Sequence, residues 1–350
     1  MLGFINQRKM ELFWPIFSVV VLLFTLALVL FNYVREKFLL FVKMHMFLVL
    51  GKDTKWKSKK IDEKIPENAI VHTKTIIFLR HGESTWNVTF NRSKIFLLPR
   101  LIYAILYEAY LYISGVRDSW FYDSPLCDEG IKQSEELREY FEKKSKELKN
   151  SNEEPILRSL IGLEGSQKSI IVSSNLRRAL STAAISFYDR VLKTEENITV
   201  LSALQEISRN PDTLSITPAN IQPTPSWIEK KYPLDIPKIY ESKMHISFNK
   251  GNKPLSSRGI DRLMEFNEWV ANNVSDDQIL IVSGHSLWFR SYFREFLPFA
   301  SNHVAKTKKI QNNALISFKL NIYENPTNKA NKVYHIDPES VAPIYKGFTK

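Results

Sequence analysis

Two short apolar runs in this sequence end alike. Thr75-Ile76-Ile77-Phe78-Leu79 leads into Arg80-His81-Gly82-Glu83, and Gln278-Ile279-Leu280-Ile281-Val282 leads into Ser283-Gly284-His285. Each run has the length and side chains of a buried strand. In open α/β sheets the carboxyl ends of strands are where ligands bind. One histidine there is more often a hydrogen-bonded core residue. Two, each beside a glycine, suggest a shared site, and imidazole can act as nucleophile or as general acid and base.

The elements that must position them alternate in type. Ser169–Ser173 and Ile198–Val200 read as further strands, and Asn313–Leu320 as a last one. Gly130–Leu148, Leu176–Leu192, Ser256–Val274 (capped by Ser256 or Ser257) and Leu287–Leu297 carry helical spacing. The expected fold class is α/β, a three-layer α/β/α sandwich with a mostly parallel sheet.

Five ordered segments between Thr75 and Leu320 resemble the histidine phosphatase superfamily, the phosphoglycerate mutase-like fold. They are Arg80-His81-Gly82-Glu83-Ser84-Thr85-Trp86-Asn87, Asp123-Ser124-Pro125-Leu126-Cys127-Asp128-Glu129-Gly130, Ser173–Ala183, Leu204-Gln205-Glu206 and Val282-Ser283-Gly284-His285-Ser286. The resemblance implies a phosphohistidine mechanism, which splits one hard displacement on a phosphomonoester into two easier ones. It makes His81 the nucleophile and Glu206 the general acid that later activates water. Arg80, Arg178 and His285 become phosphate-binding donors, with Asn87 a neutral one. Arg177 competes with Arg178, but Arg178 directly precedes Ala179 as the motif requires. Glu83 is a rival acid expected to be structural, and Cys127 a small packed residue. No metal and no cofactor is expected, since the arginines and His285 do the charge work.

Departures narrow the reading. Ile207-Ser208-Arg209-Asn210 follows Glu206 where cofactor-dependent mutases continue differently, which weakens a mutase reading. Ser286 follows His285, unlike the acid phosphatase branch, where an acid follows the second histidine. One insertion, at about 88–122, holds the apolar stretch Ile95–Ile113, interrupted by Pro99, Arg100 and Glu108. Core packing is its expected use, and a membrane-facing cap over the site the sharper alternative. A second insertion, at about 210–254, is proline-rich and reads as a long loop with a short helix near Trp227–Tyr232.

Ahead of all this, Leu12–Val34 runs 23 residues without a formal charge. As a helix it would reach about 34 Å, enough for a hydrocarbon core of about 30 Å. Pro15 falls in its first turn, and Trp14 and Tyr33 lie near its ends, as interfacial aromatics do. The stretch is long for a signal peptide, and no small-residue cleavage site follows. Arg8 and Lys9 precede it; Arg35, Lys37, Lys43, Lys52, Lys55, Lys57, Lys59 and Lys60 follow. That bias puts the C-terminal part on the cytoplasmic side or its organellar equivalent. Residues 1–11 then form a flank, 12–34 a single transmembrane helix, 35–72 an interfacial and lysine-rich linker, 73–325 the catalytic domain, and 326–350 a tail.

Composition adds exclusions. A chain of 350 residues, 44% hydrophobic and 24% charged, is globular. Its one cysteine rules out an internal disulfide framework. Lys and Arg outnumber Asp and Glu by 48 to 37, a net +11, but the basic residues cluster beside the apolar helix rather than along an aromatic-studded groove, against nucleic acid. The expectation is a membrane-anchored phosphatase acting on a phosphorylated small molecule, lipid or protein. The alternative is a phosphoglycerate mutase-like scaffold subunit of a membrane complex, such as a mitochondrial one.

Overall fold

The computed structural model describes residues 2–58, 62–194 and 196–349. The side chains of residues 2–12, 33 and 329–331 lie outside the described residues, as do Lys59 and Lys60. In chain order the elements are α1 (Leu2–Leu30), α2 (Asn32–Leu50), β1 (Ile70–Arg80), α3 (Thr85–Phe90), α4 (Leu97–Ile113), α5 (Asp128–Leu148), α6 (Pro155–Ile161), β2 (Ser169–Ser173) and α7 (Arg177–Ser186). They continue with α8 (Tyr188–Lys193), β3 (Ile198–Val200), α9 (Ile236–Ser242), β4 (Met244–His245), α10 (Gly259–Asn273), β5 (Ile279–Gly284), α11 (Ser286–Phe296), β6 (Leu315–Asn325) and β7 (Asn328–Tyr345).

The seven strands form one sheet in the order β4-β3-β2-β5-β1-β6-β7. Pairings are parallel from β4 through to β1, and antiparallel for β1 with β6 and β6 with β7. Alternation along the strands splits the core in two. Ile76, Phe78, Leu280 and Val282 face one side and pack with Leu263 and Phe266 of α10 and Trp288, Phe289 and Tyr292 of α11. Ile77, Leu79, Ile279 and Ile281 face the other, against α5 to α9 through Leu137, Leu157, Leu180, Val191 and Ile239. The chain is therefore an α/β/α sandwich whose sheet is mostly parallel.

Several sequence expectations shift. The apolar helix does not run unbroken from 12 to 34. Phe31 takes an extended conformation (φ −119°, ψ 106°), so α1 ends at Leu30 and residues 32–34 open α2. Residues 13–30 remain long and apolar enough to cross a membrane. Residues 35–72 are not a free linker. Helix α2 buries Val34, Lys37 and Phe47 against the domain, and Asp53 beyond it is fully enclosed. The tail is not free either, because residues 328–345 form β7, the edge strand of the sheet. Arg258 rather than Ser256 or Ser257 caps α10, reaching Asp261 with both backbone and side chain. The expected helix 176–192 breaks at Phe187 (φ −105°, ψ 18°). Near Trp227–Tyr232 there is one 3-10 turn, Glu229–Lys231, and the longer helix is α9, capped by Asp235.

The Ile95–Ile113 insertion corrects an expectation outright. Along α4 only Ala104 and Leu111 are buried, so core packing is not its use. Both of its charges, Arg100 and Glu108, turn inward and bond to the protein, which leaves most of the apolar side chains outside.

Candidate active site

The site lies at the carboxyl ends of β1, β2 and β5. The His81 amide donates to the Gly284 carbonyl (3.0 Å), and the Ser174 amide to the Ser283 carbonyl (3.0 Å), so the parallel ladder carries the loop ends into one layer. Gly82 is needed there: a Cβ on it would fall 2.5 Å from the Gly130 carbonyl oxygen.

His81 is held in one tautomer. Its Nδ1 lies 2.6 Å from the Gly82 carbonyl oxygen, which can only accept, so Nδ1 carries the proton and Nε2 keeps its lone pair. Arg178 Nε donates toward that lone pair at 3.3 Å. Burial, then Arg178 and Arg80, push the imidazole well below its ordinary pKa, against the pull of the Gly82 carbonyl. His81 is thus a neutral base, an available nucleophile.

A cavity of about 130 Å³ opens at this atom, walled by Arg80, His81, Asn87, Arg178, Glu206 and Asp212, with Lys309 at its edge. Larger hollows exist on the described surface but lie elsewhere; the chemistry, not the volume, marks this one. Arg178 is fully buried, donating to the Asp212 carbonyl (2.7 Å) and pairing with its carboxylate (3.2 Å). Arg80 donates to the Ile310 carbonyl (2.6 Å), and its Nε has no partner. Burial lowers its pKa to about 10, so it stays charged at neutral pH. Asn87 is part of the α3 cap: its Oδ1 accepts from the Ser84 amide (3.2 Å) and hydroxyl (3.0 Å), leaving its amide nitrogen for the cavity.

Glu206 reaches the cavity from the loop after β3. Its carboxylate accepts from the amides of Ile207 (2.9 Å), Trp288 (2.8 Å) and Leu287 (3.3 Å), the last two in the first turn of α11. His285 caps that helix and is fully buried, its ring centroid 5.1 Å from that of His81. Ser174 Oγ meets its Nε2 at 2.9 Å, while Nδ1 has no partner. Burial and Arg178 lower its pKa well below the ordinary value.

The two adjacent arginines separate cleanly. Arg177 points away from the cavity, paired with Asp118 and bonded to the Asp123 carbonyl. Glu83 is likewise outside the cavity, pairing with Arg92. Cys127 packs beside Glu83, and burial pushes its thiol up to about 12, leaving it unreactive.

Three residues of the site were missed by sequence reasoning. Asp212 is buried on the cavity wall, and burial raises its carboxyl to about 6 against the pull of Arg178. Lys309 comes from the segment before β6. Lys253 lies beneath the acid loop and donates to the carbonyls of Glu206 (2.6 Å) and Ser208 (2.6 Å). None sits in a motif, so only the fold could assemble them. Among the described residues no group of three or more His, Cys, Asp or Glu side chains is placed to hold a metal ion.

No family model matches this chain, and no curated protein does. Solved structures do. One is named mycobacterial hydrolase 1, at 14% identity over 79% of this chain and all of that one, with a TM-score of 0.36. Another is the mycobacterial glucosyl-3-phosphoglycerate phosphatase complexed with VO3, at 16% identity over 75% of this chain and 97% of that one, TM-score 0.36. A third is the alpha-ribazole phosphatase of Shigella flexneri, at 13% identity over 75% of this chain and 95% of that one, TM-score 0.34. Two of these three proteins are named as phosphatases.

Proposed function

We propose that this chain is a phosphomonoester hydrolase working through a phosphohistidine on His81. The observation that supports it best is the fixed tautomer: a neutral imidazole whose Nε2 lone pair, contacted by Arg178 Nε at 3.3 Å, sits on a residue walling a small cavity together with Arg80 and Arg178. In the first step Nε2 attacks phosphorus, the P–O ester bond breaks, and a carboxyl group gives its proton to the leaving alkoxide. In the second, the same carboxylate takes a proton from water, the water oxygen attacks phosphorus, and the P–N bond breaks to release inorganic phosphate. The arginines stabilise equatorial charge in both steps, Arg178 exchanging its contact with His81 Nε2 for a phosphoryl oxygen.

Glu206 is assigned as that carboxyl group, held by the α11 amides. Asp212 is the second candidate, because a carboxyl near 6 is suited to giving and taking protons near neutral pH. The substrate is a phosphorylated small molecule, a lipid or a protein. Helix α1 is read as the membrane anchor, with the exposed Lys52, Lys55 and Lys57 marking the cytoplasmic side or its organellar equivalent.

The test is turnover by the full chain in detergent or vesicles, over sugar phosphates, glycerate phosphates, phospholipid headgroups and phosphopeptides, with and without excess chelator. Turnover that survives chelator supports the mechanism. Chelator-sensitive turnover restored by a divalent ion counts against it. A folded chain with no turnover on any class favours the scaffold subunit instead.

A further inference from the structure

Helix α4 is amphipathic in the wrong sense for water. From Ile95, in the turn just before it, to Ile113 the exposed residues include no charge, and the outermost are bare: Ile95 is 83% exposed, Leu98 66%, Leu106 66% and Ile113 83%. Its two charged residues face the protein. Arg100 donates to the carbonyls of Thr89 (3.3 Å) and Ser93 (2.6 Å). Glu108 accepts from Ser119 Oγ (2.9 Å) and the Trp120 amide (2.6 Å) and pairs with Lys37 of α2. A surface helix of a water-soluble protein shows the reverse arrangement.

What covers this face follows from what adjoins it. Helix α2 is fastened to α4 and the segment after it: Tyr112 Oη donates to the Val34 carbonyl (3.3 Å), and Arg117 pairs with Glu36. Through the single extended residue Phe31, α2 continues into α1, whose span from Phe13 to Leu30 has no buried residue. A helix this apolar, touched by its own chain only near α2, where Phe24 meets Phe38, fits a lipid interior, not a protein groove. Leu39, Phe41 and Val49 of α2 are exposed as well.

We propose that the outward face of α4 is a second membrane contact, seated in the interfacial layer of the same bilayer that α1 enters. The chemistry that recognises it is a lipid surface: acyl chains against Leu98, Ile102 and Leu106, with the exposed Lys94 at headgroup level. Docked along its length on the folded domain, α4 lies in the surface and does not span it. Through Arg100 and Thr89 it is tied to α3, whose Trp86 and Asn87 wall the cavity. The phosphate site is thereby held beside lipid headgroups. This inference rests on the anchor reading of α1, but not on any catalytic assignment.

The test uses the full chain with Cys127→Ser as background, reconstituted in phosphatidylcholine vesicles with brominated acyl chains. A fluorophore is attached in turn at Leu106→Cys, Ile102→Cys, Leu22→Cys and, as a solvent control, Glu142→Cys. Labels at positions 102 and 106 are expected to lose most of their emission to brominated lipid and to resist aqueous iodide, while position 142 behaves oppositely. Iodide quenching at 102 and 106 equal to that at 142 overturns the proposal. Shielding from both quenchers together with a doubled particle mass also overturns it, in favour of a second copy on this face. Position 22 reports on the anchor separately: lipid quenching at 22 without quenching at 102 or 106 leaves α1 as a span and removes α4 from the membrane.

Discussion

The carboxylate of Asp53 lies 2.7 Å from Nζ of Lys253, two hundred residues along the chain, and neither side chain reaches solvent. Arg262 closes on the other Asp53 oxygen, and the Ser208 amide donates to the carboxylate at 2.9 Å. Lys253 and Arg262 in turn donate to the Glu206 carbonyl. A residue just past α2 thus serves as the shared counterion of two cations under the loop that carries Glu206.

Asp53→Asn should therefore cost about 3–5 kcal/mol, the range for breaking a buried pair by removing one partner. Lys253 and Arg262 outweigh the burial that works to raise the Asp53 pKa, so it sits below its ordinary 3.8. Its stabilisation is present above that value and is lost as pH falls. Burial lowers Lys253 to about 8. The penalty of the substitution should shrink as pH rises toward that value, because Lys253 without its counterion sheds its proton at still lower pH. Thermal melting at several pH values checks both statements. The same reasoning predicts that a fragment starting at Thr73 melts well below the full chain; equal melting would refute it.

His81→Ala should abolish turnover, while Glu206→Gln should slow it and leave phosphate binding largely intact. Rapid quenching with a labelled substrate should place acid-labile phosphate on His81. Label on His285 would reverse the two histidine roles.

Asp212 gives a pH signature. Below about 6 its carboxyl is neutral; above, it is an anion sharing Arg178 with any incoming phosphoryl group. Inorganic phosphate should bind wild type and Asp212→Asn alike at pH 5. The variant should gain an advantage of up to about tenfold as pH rises through 6. Taking the ratio of inhibition constants cancels the titration of phosphate itself. If Asp212 is instead the general acid, the variant loses turnover as well, so the two measurements distinguish competition from proton transfer.

Arg177 and Arg178 should fail differently. Arg177→Ala strands Asp118 and Asp123 in the interior and should lower stability by about 3–5 kcal/mol. Arg178→Lys keeps a charge but loses the planar fork, so phosphate affinity and turnover should fall with a smaller change in melting temperature. Calorimetry beside phosphate titration separates the pair.

The sequence by itself determined the α/β alternation, because strands apolar throughout, such as Ile76–Leu79 and Ile279–Val282, must bury both faces, which helices on either side can do in only a few layered ways. It also put His81, Arg178, Glu206 and His285 forward together, since local motifs carry them. The tertiary structure decided what depends on contacts between distant segments. Arg177 and Arg178 differ only in which way the first turn of α7 aims them. Asp212 and Lys253 have no local signature, and their roles arise from partners far along the chain. The segment around Asp53 looked like a solvated, lysine-rich linker because most of its charges are exposed. Asp53 itself is enclosed because two buried cations elsewhere required a counterion. Helix α4 read as core because hydrophobicity alone cannot say which side of a helix meets protein; the inward turn of Arg100 and Glu108 does.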